Sequence, residues 1–206
     1  MISSRYTPAL QAERLPVVTR LLLARHGETD WNRLGRWQGQ TNVPLNDVGR
    51  RQAMALCSSL KDEQLAAVYC STLQRAVETA HAIAAAHRLN VCRDARLNEI
   101  KLGKWEGMTR KDIAARYPDL LQAWEADPSS VRPPDGESIV ELQDRVMAVI
   151  DEISLAYPGE TVCIIGHKMT NGIIRSRYMG LPLAEALSTV PAHAVWEVAE
   201  LPYPFL

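Results

Sequence analysis

The sequence has almost no net charge, no paired cysteines and no long apolar run, and each absence removes a class of function. Its 23 Lys and Arg against 24 Asp and Glu leave a formal charge of −1, so no overall basic field exists to hold a nucleic-acid backbone by counterion release. Any anion site must be built locally. Cys57, Cys70, Cys92 and Cys163 form no C-x-x-C pair and have neither zinc-ligand nor disulfide-framework spacing; they read as reduced thiols of a cytoplasmic protein. The first twenty residues mix Arg5, Glu13, Arg14 and Arg20 with Pro8 and Pro16 and hold no stretch long enough for a signal peptide or a transmembrane helix. No membrane partner is expected, and residues 1–17 read as a flexible tail. Repeats, a D-x-D pair, a Walker sequence and a glycine-rich kinase loop are also missing. Cys70 to Arg75 falls one residue short of the C-x₅-R loop used by cysteine-dependent phosphatases.

What is present is an ordinary globular composition, 47% hydrophobic and 23% charged, in a length that suits one domain over residues 18–206. Short apolar runs alternate with amphipathic stretches, which predicts an α/β fold: a mostly parallel central sheet with helices on both faces. Strands are expected at Val17–Ala24, Ala66–Cys70 and Thr161–Ile165, with a last one at Ala194–Ala199. Leu73, Ala76, Val77 and Ala80 share one helical face behind a candidate capping box of Ser71 and Gln74. Ser138 with Glu141 forms another, opening the helix that carries Ile139, Leu142, Val146, Val149, Ile150 and Ile153. Thr109–Ser130 predicts two short helices with Pro118 in the first turn of the second. A small helical lid is expected over about residues 105–136, and substrate specificity is expected to lie there.

Two of these strands end in a histidine, His26 and His167, and ligands of open parallel sheets bind beyond the carboxyl ends of strands. A third leads into a helix whose first turn carries Arg75, where the guanidinium and the helix N-terminus both favour an anion. Taken singly these features are weak, since a strand-end histidine is more often structural and an arginine more often a surface ion-pair partner.

The ordered set is specific. Arg25-His26-Gly27-Glu28-Thr29 with Asn32, then Gln38-Gly39, Ser71-Thr72-Leu73-Gln74-Arg75-Ala76 with Thr79, Leu97-Asn98-Glu99 followed by Gly103, Trp105, Glu106 and Gly107, and Gly166-His167 together resemble the histidine phosphatase superfamily, or phosphoglycerate mutase-like family, over about residues 18–201. The resemblance implies a metal-independent phosphatase acting on a small phosphoester, with no cofactor. By it His26 is the nucleophile, Arg25, Arg75 and His167 surround the phosphoryl group, Asn32, Gln38 and Gly39 bind phosphate or substrate, and Glu99 is the proton donor. The chemistry suits these residue types. A neutral imidazole splits one hard displacement into two, arginine forks match the equatorial oxygens, and a carboxyl group can serve as acid and then as base.

Two departures bear on substrate. Lys168 follows the second histidine where relatives carry a small or neutral residue, and is either a further phosphate or carboxylate ligand or a solvent-facing cation. Gly172 stands where many relatives have arginine, and could ease the turn into the following helix. Trp31, Trp37 and Trp105 either line the pocket or pack as core rims, His81 and His87 are expected to be exposed, and His193 is undecided. Rival readings are a bisphosphoglycerate-dependent phosphoglycerate mutase and a catalytically silent phosphoester-binding module; a homodimer is one assembly the reading allows.

Overall fold

A computed structural model describes residues 17–202, so the expected tail, up to residue 16, lies outside the described residues. In chain order the elements are β1 (Val18–Arg25), α1 (Asp30–Arg33), α2 (Asp47–Ser59), β2 (Leu65–Cys70), α3 (Gln74–Ala86), β3 (Val91–Arg93) and α4 (Arg110–Arg116). There follow α5 (Pro118–Ala126), α6 (Ile139–Ala156), β4 (Thr161–Gly166), α7 (Lys168–Tyr178), α8 (Leu183–Ser188) and β5 (Trp196–Pro202). The sheet order is β3-β2-β4-β1-β5. All pairings are parallel except β1 with β5, so the class expected from the sequence is the class found.

The near-continuous apolar character of β1 and β4 follows from their place inside the sheet, where both faces are covered. Leu21, Leu23, Val162 and Ile164 enter one core with α6 and α7, while Leu22, Ala24, Cys163 and Ile165 enter another with α2 and α3. That is the period-2 alternation of a strand read on two sides. Each of the Leu, Val and Ile side chains among these, buried in full, contributes roughly 1.5–3 kcal/mol.

Ser138 and Glu141 close a reciprocal capping box on α6, and Pro118 opens α5 at its first position, both as the sequence predicts. The Ser71 cap is not formed. Leu73 is the N-cap of α3 and makes no side-chain cap bond; Asn42 Oδ1 instead takes the Gln74 N–H at 2.7 Å. An amide from another loop thus meets the first helical N–H, while Ser71 Oγ accepts the Leu73 N–H at 3.2 Å, outside the helix. The Asn42 bond occupies the first donor of the helix end, the Gln74 N–H. Among the described residues no helix is long and apolar enough to cross a membrane.

Parallel pairing puts the carboxyl ends of β2, β4 and β1 on one edge, with Arg25 opposite Gly166 and Cys70 opposite Ile165. His26, Ser71 and His167 therefore leave the sheet side by side. The loop after β1 then crosses the first turn of α2 so closely that a Cβ on Gly49 would lie 2.0 Å from Glu28 O. Only glycine permits that approach.

Candidate active site

His26 is 3% exposed, and its Nδ1 lies 2.7 Å from Gly27 O. A carbonyl oxygen only accepts, so Nδ1 carries the ring proton and Nε2 is left with its lone pair. The peptides that follow are anchored too: Gly27 N–H donates to Thr79 Oγ1 at 3.1 Å and Glu28 N–H to Gln52 Oε1 at 2.7 Å. Burial first, then the charges of His167, Arg75, Arg25 and His193, hold the His26 pKa well below the usual histidine range. The ring therefore stays neutral.

His167 is fully buried beside it, with ring centroids 5.0 Å apart. Its Nε2 lies 2.8 Å from Ser71 Oγ, while Nδ1 has no protein partner. Burial, then Arg75, Arg25 and Arg145, lower its pKa well below normal.

Arg75 is 1% exposed and gives its two terminal nitrogens to Thr41 O and Gly39 O, both at 2.8 Å. Its Nε and that of Arg25 are buried without a partner. Burial brings Arg75 down to about 10, opposed by the charge of Glu99; the same two causes, in that order, act on Arg25. Buried polar groups are ordinarily satisfied. Two orphan guanidinium N–H groups beside an orphan imidazole nitrogen make an arrangement that an anion with several acceptor oxygens completes.

The remaining residues named from the sequence fall around the same cleft, of about 550 Å³, whose walls include Arg25, His26, Asn32, Gln38, Gly39, Arg75, Glu99 and Lys168. Asn32 accepts Thr29 N–H and Oγ1–H at its Oδ1, which leaves its NH₂ as the free end. Gln38 is buried with Oε1 unpartnered. Gly39 holds φ +51°, and a Cβ there would sit 2.3 Å from Glu106 Oε1; its carbonyl serves Arg75. Glu99 Oε1 accepts Ile100 N–H at 2.9 Å, and its two oxygens lie 3.2 and 3.3 Å from Met169 N at the start of α7. Lys168 is exposed on the cleft wall. Among the described residues no group of three or more His, Cys, Asp or Glu side chains is placed to hold a metal ion.

The tryptophans divide. Trp105 is fully buried, with its ring centroid 5.5 Å from that of Trp37 and 5.6 Å from that of Trp124; Trp37 and Trp124 line the cleft, and Trp31 packs against Gly107. From residues 105–136 only Trp124, Glu125, Ala126 and Pro128 reach the cleft, while Trp105, Ile113 and Leu121 share the α6 core. The opposite wall comes from α8, through Ala184, Leu187 and Ser188, which the sequence reading did not anticipate. Gly172 eases no turn. It lies inside α7, where a Cβ would meet Leu187 Cδ2 at 2.5 Å, so it lets α8 close on α7. His87 is half-buried at the end of α3, whereas His81 is exposed as expected.

Arg145 was not singled out from the sequence and His193 was left undecided, yet both fall at the site. Arg145 on α6 donates Nη1 to Arg96 O and Asn98 O, both at 2.7 Å, and Nη2 to Glu99 O at 3.0 Å. The same guanidinium pairs with Glu137 at 2.6 and 2.8 Å, so it pins the loop that carries Glu99. His193, just before β5, places its ring centroid 5.3 Å from that of His26.

Comparison with known proteins bears on this geometry. Residues 21–201 match the histidine phosphatase superfamily (branch 1). Phosphoserine phosphatase 1 of Hydrogenobacter thermophilus is 32% identical over 168 residues, which span 82% of this chain and 80% of that protein. The metal-independent phosphoserine phosphatase of Arabidopsis thaliana is 36% identical over 172 residues, 82% of this chain and 71% of that one. Among solved structures, mycobacterial glucosyl-3-phosphoglycerate phosphatase with VO3 is similar at a TM-score of 0.79 and 31% identity, over 87% of this chain and 90% of that chain.

Proposed function

The chain belongs to the histidine phosphatase superfamily, and from that membership we propose that it is a metal-independent phosphomonoester hydrolase of the histidine-acid type, passing the phosphoryl group of a small metabolite through His26 to water. The observation that carries this reading is the bond from His26 Nδ1–H to Gly27 O, which aims the nitrogen lone pair out of the loop beside the buried Nε–H groups of Arg25 and Arg75. Relatives that act on phosphoserine and on glucosyl-3-phosphoglycerate support a small-metabolite substrate.

In the first step Nε2 of His26 forms a bond to phosphorus as the ester P–O bond breaks, and the leaving oxygen takes a proton from Glu99. In the second, water adds to phosphorus, its proton passes to the Glu99 carboxylate, and the P–N bond breaks to release inorganic phosphate and neutral His26. The Nε–H groups of Arg25 and Arg75 bind the equatorial oxygens, where charge collects. If the Ser71 hydroxyl donates to His167 Nε2, the ring proton of His167 lies on Nδ1, its unpartnered nitrogen, and supplies another donor to the same oxygens. The free NH₂ of Asn32 and the amide of Gln38 extend the cradle, and Gly39 holds Arg75 through its carbonyl. Lys168 meets a second anionic group on the substrate, while Trp37, Trp124, Met169 and Leu187 flank its carbon skeleton. Four unpaired cysteines accord with a reducing cytoplasm.

The test is a panel of phosphoesters assayed with EDTA present, joined to rapid quenching for an acid-labile phosphoenzyme. Phosphate release with EDTA and labelling that vanishes in His26→Ala is the expected result. Release abolished by EDTA overturns metal independence. Equilibration of 2- and 3-phosphoglycerate that depends on the bisphosphate, with little free phosphate, replaces the hydrolase by a mutase.

A further inference from the structure

The nucleophile's neighbourhood contains one group to which the phosphatase reading gives no task. His193 Nδ1 lies 2.9 Å from the carbonyl oxygen of His26 itself, and that acceptor requires Nδ1 to be the protonated nitrogen. The residue beside it, Ala194, occupies the left-handed region at φ +55°, which disfavours any side chain with a Cβ. Its N–H reaches Arg25 O at 2.9 Å. The β1–β5 ladder proper ends at Ala24 opposite Trp196. Past that point the 193–194 turn adds two further rungs, one from a backbone N–H and one from an imidazole, to the carbonyls of Arg25 and His26.

We propose that His193 is a positioning residue for the nucleophile, holding the 26–27 peptide through the His26 carbonyl so that His26 keeps its attacking orientation. The proposal rests on His26 being the nucleophile. Each of the two peptides after that residue is then held at both ends. In the 26–27 peptide, His193 binds the C=O and Thr79 the N–H. In the 27–28 peptide, the His26 ring binds the C=O and Gln52 the N–H. Rotation of the first plane would swing Gly27 O away from the His26 ring and release the tautomer that leaves Nε2 free. The anchors come from α2, α3 and the turn before β5, so the ring is oriented from three directions. Burial, then the charge of Arg25, brings His193 down to about 4, against its bond to His26 and the charge of Glu28; it is thus a neutral donor at working pH.

Asparagine and leucine separate the bond from the bulk. From Cβ, the amide nitrogen of Asn falls where Nδ1 of histidine stands, while a methyl of Leu falls there without a donor. With p-nitrophenyl phosphate, His193→Leu is expected to lower kcat between about tenfold and about 10²-fold, the scale of a sub-ångström to one-ångström misplacement, with KM within about twofold. His193→Asn is expected to keep kcat within about threefold of the parent. A second readout is independent of turnover: ¹⁵N spectra of histidine-labelled protein are expected to show His26 as the Nδ1–H tautomer in the parent and in His193→Asn, and as a tautomer mixture in His193→Leu. Equal kcat and an unchanged His26 signal in His193→Leu overturn the proposal, as does an Asn variant that falls as far as the Leu variant. If the parent forms no phosphoenzyme, the hydrolase reading fails, and the tautomer comparison still decides what His193 does.

Discussion

Replacing Arg145 by Met tests the placing of Glu99 without altering any residue that lines the cleft. The guanidinium, 19% exposed as a side chain, serves three carbonyls and the Glu137 carboxylate, itself 13% exposed. Methionine keeps much of the aliphatic stem and removes all of those donors. Breaking a fully buried ion pair by removing one partner costs about 3–5 kcal/mol, and the residual exposure of this one lowers that to about 3 kcal/mol. For a domain of this size each kcal/mol moves Tm by about 2–4 °C, so a drop of about 6–12 °C is expected. The kinetic consequence depends on the leaving group. With the 96–99 loop released, Glu99, the proposed proton donor, loses its fixed position, and general acid catalysis is worth about 10²–10⁴-fold. Nitrophenolate departs without much protonation, whereas the alkoxide of glycerol phosphate cannot. Arg145→Met is therefore expected to lose about 10²-fold in kcat on the alkyl ester and less than about tenfold on p-nitrophenyl phosphate, measured well below the lowered Tm. Equal losses on both esters, or none on the alkyl ester, would refute the reasoning.

Further consequences can be measured directly. His26→Ala is expected to lose at least about 10³-fold in kcat while keeping a cooperative melt; residual turnover above that level assigns the nucleophile elsewhere. Because the folded-state pKa values of His26 and His167 lie well below normal, below about pH 6.5 the unfolded chain binds protons that the folded chain does not. Stability should hold above that pH and fall as pH drops beneath it, by up to about 1.4 kcal/mol per pH unit for each of these two imidazoles. Urea titrations at pH 7 and pH 5 check this, and equal stabilities would contradict it. Gly39→Ala puts a methyl against Glu106, which the N–H groups of Gln40 and Leu102 hold in place, at a backbone angle that already disfavours it; a loss of about 2–4 kcal/mol and a lower kcat through Arg75 are expected in melting and kinetic assays.

The parts of the site that were legible in the sequence are those tied to local pattern. His26 and His167 follow apolar runs that could only be buried strands, and the α6 capping box was readable because both partners lie within one turn. β3 is three residues long and half-buried, too short to impose a period. Arg145 and His193 act on backbone carbonyls 46 to 49 and 167 residues away, and a carbonyl has no residue identity to leave in a sequence. Ser71 was misread for a related cause: the local rule for a helix start fits it, but His167, 96 residues further on, claims its hydroxyl. Gly172 likewise depends on Leu187 of the next helix and not on a turn.

The place of β1 also fixes when the enzyme can first work during synthesis. Its two neighbours are β4 and β5, so the strand that presents His26 waits with both edges bare while more than a hundred residues emerge from the ribosome. Contacts so distant along the chain are slow to close, and a nascent polypeptide stopped before residue 196 would carry the His26 imidazole on an unfinished edge.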